Sequence, residues 1–410
     1  MRLLFVHRNF PGQFHRLLNA MLQAGGHNIV FITAAGQPDL PPEPPPGLAI
    51  VTYVTAPASH RTHAHAHDFD AAMRRATAVA EVAAGLRSRG FQPDIIIGHE
   101  GWGETLDLQD QWPGTPQLGF REYFYHLEGA DVGFDPEFPP PRSSLGGVRA
   151  KNAVAALALL AGHPGVTPTE WQRSRYPVWA RPAIRLVPDA VDLDACRPQA
   201  GLQAAPFRLG AVALGAGEAL VTFTARNLEP YRGFHTLARA LPRLLARRGT
   251  HVVCTGGDGV SYGLPPPSGT WRSRLVAELG TSIDHARLHF PGILPHADHI
   301  RLLQRSDVHT YLSYPFIASW SLREALACGC AIVAGDTAPA REFIAHGDTG
   351  LLVPSLDPAT LADSVLALLE DPHRRAGLGQ AARLWAETHL APAAHLAAWE
   401  SAINAALLTR

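Results

Sequence analysis

Arg226 and Arg232 stand six residues apart in the stretch VTFTARNLEPYRG (221–233). They follow the apolar, β-branched run Val221 to Thr224 and precede a helical pattern. Two guanidiniums at the carboxyl end of a strand, beside a helix amino terminus, form a site for a multiply charged anion. The planar forks and the unspent first-turn N–H groups both seek anionic oxygen. Further along, YPFIASWSLREALACGCAIVAGD (314–336) sets Glu324 inside the first turns of another helix. Cations for phosphates and a carboxylate for ribose hydroxyls together suggest a nucleoside diphosphate. The competing readings are surface ion pairs for the arginines and a favourable helix-dipole interaction for Glu324.

Such groups need rigid elements to hold them, and the composition supplies them. The chain has 410 residues, 46% apolar and 17% charged, too long for one ordinary core, so two domains are expected. A net charge of −1 gives no electrostatic reason to expect nucleic acid. Lys151 is the one lysine, so an arginine counts here by its position and not by its presence. Cys196, Cys254, Cys328 and Cys330 are too few and too scattered for a disulfide framework and read as small buried hydrophobes in a reducing compartment. The amino terminus reads as a strand, not a signal peptide, and no stretch approaches the roughly 18 apolar residues of a membrane span. A soluble, cytoplasmic protein is expected, with peripheral membrane contact left open.

Short apolar runs alternate with helical patterns twice along the chain. Strands are expected at 2–7, 28–33, 49–54, 94–98, 116–120, 164–167 and 184–187, then at 220–225, 250–255, 286–290, 307–312, 330–334 and 350–353. Helices fall between them, including 12–25, 68–89, 103–111, 147–161, 169–176, 233–248, 296–305, 320–328 and 337–346. This alternation specifies parallel sheets covered on both faces. The expected fold class is therefore α/β, with a first domain at 1–190, a hinge at 191–209, a second domain at 210–385 and a closing helical segment, 386–410, that packs back toward the first. Ligands are expected where strand carboxyl ends face a cleft. The proline-rich segments 36–47 and 134–142 read as rigid surface excursions.

The order of motifs in the second half resembles the family 4, group 1 glycosyltransferases. Ala225-Arg226 through Arg232-Gly233 is similar to that family's Gly-Arg…Lys-Gly pattern, and CTGGDG (254–259) to its glycine-rich strand end. Phe290-Pro291-Gly292-Ile293-Leu294, the strand Asp307 to Ser313, the helix ending at Glu324 and Gly347 to Val353 follow in the family's order. The resemblance implies a GT-B architecture of two facing Rossmann-like, doubly wound domains with an interdomain cleft. It also implies retaining transfer of a sugar from a nucleotide-diphosphate sugar to an acceptor hydroxyl, with no metal cofactor required. By the same resemblance Arg226 and Arg232 hold the donor diphosphate, Glu324 accepts ribose hydroxyls, and Ser319, Trp320, Ser321 and Leu322 present helix-start amides. Ile293 and Leu294 complete the donor side. Trp320 either packs on the sugar or fills core, the core reading being preferred.

Two departures stand out. Arginine replaces the family's usual lysine at 232, which keeps the charge but alters the geometry. Phe316 occupies the place of the first glutamate of the paired-glutamate motif and has no polar atom for a donor sugar.

In the first half, Gly12 lies in the first strand-to-helix turn, where close approach of a phosphate is possible. His99 ends the strand DIIIGH, and Glu122 takes the place of a cleft histidine in the family; both are the amino-terminal candidates for catalysis. A carboxylate there can orient an acceptor hydroxyl or stabilise positive charge on the sugar. On a strand, His63, His65 and His67 of the run beginning at His60 would share a face able to hold zinc or nickel; a histidine-rich loop is the preferred reading. The implied partners are a nucleotide-sugar donor and a glycan, lipid-linked or small-molecule acceptor. Rival readings are another GT-B reaction such as a 2-epimerase or phosphorylase, a non-catalytic nucleotide-sugar module, and an NAD(P) oxidoreductase. The last lacks G-x-G-x-x-G after the first strand.

Overall fold

The computed structural model describes residues 1–58 and 61–408 and divides into two compact units. The first comprises Met1–Leu127, Pro141–Asp189 and Pro392–Arg410; the second comprises Glu128–Pro140 and Ala190–Ala391.

The first unit is built on seven parallel strands: β1 (Arg2–Val6), β2 (Asn28–Ala34), β3 (Leu48–Tyr53), β4 (Ile95–His99), β5 (Gln117–Phe120), β6 (Gly165–Thr167) and β7 (Ile184–Leu186). Their spatial order is β3-β2-β1-β4-β5-β6-β7. Successive side chains point to opposite faces, and both faces are buried. Leu3 and Phe5 enter a core with Phe14, Phe31, Ile97, Trp399 and Ile403, while Leu4 and Val6 enter another with Val30, Ile96, Val79 and Trp112. The first of these cores is completed by the closing helix, Pro392–Leu408, whose Trp399 meets Phe14 edge-on at 5.9 Å. Phe5 is fully enclosed, so truncation to alanine costs about 3–5 kcal/mol.

The second unit repeats the order. Its strands are β8 (Phe207–Leu209), β9 (Val212–Leu214), β10 (Ala219–Asn227), β11 (Thr250–Gly257), β12 (Leu288–Gly292), β13 (Val308–Tyr311), β14 (Ala331–Gly335) and β15 (Leu351–Val353). The six-stranded parallel sheet runs β12-β11-β10-β13-β14-β15, so β10 and β13 form its switch point just as β1 and β4 do in the first unit. Val221, Phe223, Val252, Cys254, Val308 and Val333 pack with the helices Phe234–Ala246 and Pro358–Glu370. Chain order and element types follow the alternation in the sequence.

The differences from expectation are local. Residues 207–214 form a small antiparallel hairpin, β8-β9, whose first strand falls at the end of the expected hinge and whose second opens the expected second domain. Helical backbone in the stretches 103–111 and 337–346 is confined to Leu108–Gln111 and Ala338–Arg341. The helix Pro372–His389 runs through the expected boundary at 385, and only from Pro392 does the chain join the first unit. The proline-rich segment at 134–142 is no free excursion either, because Glu128–Pro140 packs into the second unit through buried polar and aromatic contacts. All four cysteines are free and buried. No helix among the described residues is long and apolar enough to cross a membrane.

Candidate active site

In the second unit the sheet itself aims Arg226. β10 and β11 pair in step up to Thr224↔Thr255 and resume at Asn227↔Gly257, so two residues of β10 oppose one of β11. This bulge releases Arg226 from the ladder and turns it outward at the strand's carboxyl end. Arg226 is exposed, and among the described residues it has no hydrogen-bond or ion-pair partner.

Arg232 ends the short turn Pro230–Arg232, and Gly233 behind it has φ 78°; a Cβ there would lie 2.2 Å from Leu312 Cβ, so only glycine fits. The Arg232 guanidinium lies 5.0 Å over the Tyr262 ring and 5.9 Å over Tyr231, with Nη1 donating weakly to Ser313 Oγ at 3.4 Å. No carboxylate neutralises it among the described residues, and its Nε is buried without a hydrogen-bond partner. Tyr262 stacks on Tyr231 at 5.1 Å, and its loop is clamped by Glu229. That fully buried carboxylate accepts the amides of Ser261 at 3.0 Å and Gly263 at 3.2 Å. Two cations thus stand at the switch point on aromatic and backbone supports.

The segment 128–140 supplies a second set of supports. Tyr231 donates its hydroxyl to Asp131 Oδ2 at 2.8 Å, and Tyr314 donates to Asp135 Oδ2 at 2.5 Å. Asp135 is 3% exposed and also takes His235 Nε2 at 2.9 Å and the Glu137 amide at 2.9 Å. Burial holds the His235 imidazole below its ordinary pKa despite that carboxylate, and burial with the Asp135 bond pushes the Tyr314 phenol up. Arg239 grips Glu137 in two-pronged fashion, both contacts at 2.6 Å. Sequence reasoning passed over these acids. Their signal is four acidic residues spaced through a proline-rich loop, a composition that carries no partner information by itself.

Glu324 lies in the helix Trp320–Ala327, where each carboxylate oxygen takes one imidazole: His296 Nε2 at 2.7 Å and His299 Nε2 at 3.2 Å. Burial alone would raise its pKa, but the bonds from His299 and His296 outweigh it and hold the carboxyl below the usual range. Both oxygens retain further lone pairs, and His296 is largely exposed, so hydroxyl donors can still be accepted.

Ser319 caps this helix by accepting the Leu322 amide, and its own amide donates to Tyr311 Oη at 3.2 Å. The four-residue stretch 319–322 therefore has fewer amides to offer an anion than its sequence implied. Ser321 Oγ lies 2.7 Å from Ser319 Oγ, and the Leu322 side chain is core. Trp320 is 48% exposed, so the preferred core reading is corrected: the residue sits at the first helical position, on the outer side. Phe316 is 3% exposed and packs on Tyr262 at 5.0 Å and Tyr231 at 5.8 Å, joining the aromatic support of Arg232. Ile293 stands 76% exposed past the end of β12, within reach of Gly257, while Leu294 packs on the core behind β8 and β9.

At the matching switch point of the first unit the groups are different. His7, directly after β1, accepts the Asn9 amide on Nδ1 at 2.8 Å, which leaves the proton on Nε2 to be given to Gln13 Oε1 at 2.5 Å. Gln13 Nε2 then donates to Glu122 Oε1 at 3.1 Å. His99 accepts the Gly101 amide on Nδ1 at 3.1 Å and so points its Nε2 at Glu122 Oε2, 3.4 Å away.

Burial, with His99 beside it, holds His7 at about 3, so its ring is neutral. Glu122 is raised by burial, but the His99 contact and charge outweigh this and bring it below its ordinary value. The result is an ionised carboxylate, 30% exposed, that accepts from Gln13 and faces a His99 ring whose tautomer the Gly101 amide sets. Gly12 has φ 55° and would place a Cβ 2.4 Å from His7 Cε1, so its first role is to let the turn lie on the imidazole. His7 and Gln13 were not singled out in the sequence, although a histidine at the carboxyl end of a first strand is a legible signal.

His60 lies outside the described residues. The remaining run is not a strand: Ala64–Ala66 is a short 3-10 turn and His67 begins a helix, so the shared-face geometry for a metal is absent. His63 caps the turn by accepting the His65 amide, and His65 Nε2 reaches Ser143 O at 2.6 Å. Among the described residues no group of three or more candidate ligands is placed to hold a metal ion.

Two family models match the chain: "Glycosyl transferase family 4 group" over residues 25–196 and "Glycosyl transferases group 1" over residues 213–385. A D-inositol 3-phosphate glycosyltransferase of Corynebacterium efficiens is 32% identical over 39% of this chain and 37% of its own length. A protein of the same name from Streptomyces avermitilis is 29% identical over 71% and 60%. A phosphatidyl-myo-inositol mannosyltransferase of Mycolicibacterium smegmatis is 32% identical over 38% of each. The matched stretches thus span less than two thirds of these relatives. Among solved structures, sucrose-phosphate synthase from Thermosynechococcus elongatus superposes with a TM-score of 0.76 at 17% identity, covering 100% of both chains. HepE of Anabaena, solved with UDP and glucose, gives 0.68 at 15% identity over 98% of this chain and 99% of that one. These likenesses establish the GT-B fold of two parallel-sheet Rossmann-like domains.

Proposed function

Since the chain belongs to the family 4, group 1 glycosyltransferases, we propose that it moves a sugar from a nucleoside-diphosphate donor to an acceptor hydroxyl, with retention at the anomeric carbon. One observation carries the reading: Arg226 and Arg232 are left without a carboxylate at the carboxyl end of β10. Uncompensated guanidiniums at a switch point are set up for a dianionic ligand. Glu324 takes the ribose hydroxyls on the lone pairs that His296 and His299 leave free. Phe316, Tyr262 and Tyr231 hold Arg232 in place and offer the sugar no carboxylate.

In the proposed step the bond from the anomeric carbon to the β-phosphate oxygen breaks, and the electron pair leaves with the phosphate. Arg226 and Arg232 stabilise that charge, each such donor being worth about 3–4 kcal/mol of barrier. The acceptor oxygen forms the new bond on the same face, and its proton passes to the departing phosphate. Two arginines supply the charge that a divalent ion would otherwise supply, so no metal is proposed. Glu122, fixed by His99 and Gln13, orients the acceptor hydroxyl or faces the developing positive charge. A cytoplasmic location accompanies this donor. The acceptor is a glycan, a lipid-linked sugar or a small polyol.

The test is a thermal-shift series with UDP, GDP and ADP and their sugar conjugates, on the wild type and on Arg226→Ala and Arg232→Ala. One nucleotide is expected to raise the melting temperature of the wild type and to lose its effect in both variants. An unresponsive wild type, or variants that respond equally, overturns the donor site. The anomeric configuration of the product, read by NMR, decides retention.

A further inference from the structure

The chain as a whole has a net charge of −1, yet residues 141–187 hold seven arginines and lysines against one acid, Glu170. The same stretch keeps five large apolar side chains in solvent: Leu157 (42% exposed), Leu160 (75%), Val178 (73%), Trp179 (65%) and Leu186 (37%). Each lies within two positions of a residue in one buried cluster. Leu159, Tyr176, Ala180 and Ile184 form a single buried cluster. Leu157 and Leu160 flank the first of these along the helix Leu145–Leu160, Val178 and Trp179 lie between the second and third, and Leu186 follows the fourth on the edge strand β7.

That helix ends in AVAALALL (153–160), apolar on every side although one face is open to water. A half-exposed helix needs a polar outer face for solubility alone, so this one is apolar for another reason. Arg149 shares the face of Leu157 and Leu160 by helical spacing, and Arg185 is exposed beside Leu186.

We propose that this face docks on an anionic lipid bilayer. A second copy of the chain is a poor occupant, because a symmetric pairing would bring the same positive stretch against itself. Leu160, Val178 and Trp179 protrude instead of lining a hollow, which suits insertion among headgroups and acyl chains. Tryptophan at such a boundary keeps its ring in the interfacial layer, and the arginines around it meet lipid phosphates. Attachment is interfacial and reversible by salt. It stands apart from the sugar-transfer reading, since none of these residues belongs to either switch point.

The experiment is co-sedimentation of the full chain with vesicles of phosphatidylcholine alone, or with about a third of the lipid replaced by phosphatidylglycerol. Binding to the mixed vesicles is expected to be at least about tenfold tighter and to fall as salt rises. Leu160→Ser with Trp179→Ser, and separately Arg149→Glu with Arg185→Glu, are each expected to abolish it while leaving the melting temperature unchanged. Equal affinity for both vesicles, no binding, or variants that still bind all overturn the proposal. So does a wild type that ignores lipid but forms a dimer that Trp179→Ser dissolves, which assigns the face to a second copy.

Discussion

The two units share a strand order, yet their switch points carry opposite electrostatics. In the first, after β1 and β4, the polar groups are turned on one another: backbone amides fix His7 and His99, Gln13 donates to Glu122, and His99 Nε2 faces the same carboxylate at 3.4 Å. In the second, after β10 and β13, Arg226 and Arg232 are held by a bulge and by aromatic rings and are left uncompensated. One end is a network gathered around a carboxylate, and the other is a positive site that a ligand would complete. A shared strand order around the switch point therefore does not dictate the chemistry at the strand ends, which is set by a few side chains in the first turns after each strand.

The contrast predicts that the second unit governs donor capture and the first governs transfer. Arg226→Ala should lower the rate of sugar transfer about 100- to 1,000-fold without changing stability, because the exposed side chain makes no hydrogen bond or ion pair among the described residues. Steady-state kinetics beside a melting curve check this, and a variant with near-normal turnover breaks the comparison. Glu122→Gln should reduce kcat about 100-fold while nucleotide affinity, measured by calorimetry, stays as in wild type. Loss of nucleotide binding there would mean that the division of labour between the units is wrong.

A smaller effect is expected from the supports beneath Arg232. Asp131→Ala removes the acceptor of the Tyr231 hydroxyl and should raise the donor KM about five- to tenfold with kcat little changed. Asp131→Asn, which still accepts that bond, should restore most of it. An equal fall in kcat for both variants would point to damage to the fold instead.

The smallest effect is one the two units should share. His7 in the first and His309 in the second are each held at about 3 by burial, far below the ordinary 6.5. Because the folded pKa is the lower one, the unfolded chain binds the proton first. Stability is full above about pH 6.5 and declines as pH falls toward 3, by up to about 1.4 kcal/mol per pH unit for each histidine. Urea midpoints between pH 7 and 5 measure this, and His309→Asn should make the slope shallower. A flat profile in the wild type would mean that these rings take up protons in place.

Particular residues show how far reading along the chain could go. Val221 to Thr224, Ile95 to Ile97 and their counterparts declare buried parallel strands, because only such strands are apolar on both faces. The positions of Arg226, Arg232, His99 and Glu122 at strand ends followed from that periodicity. His63, His65 and His67 misled, since period-two spacing suggests a shared face only if the backbone is extended, and there it turns. Trp320 was equally ambiguous: its burial depends on what lies opposite the helix start. Asp131 and Asp135 gave no signal, because their partners, Tyr231, Tyr314 and His235, lie about a hundred or more positions away.

Local patterning alone thus determined the two sets of buried parallel strands and the turns in which charged groups had to sit, since hydrophobic periodicity and glycine placement act between near neighbours. Tertiary structure alone decided which of those charges are neutralised. It paired Glu324 with two imidazoles, surrounded Glu122 with donors, and left Arg226 bare. Compensation of a charge depends on distances of a few ångströms between residues far apart in the chain, and only the folded backbone sets those distances.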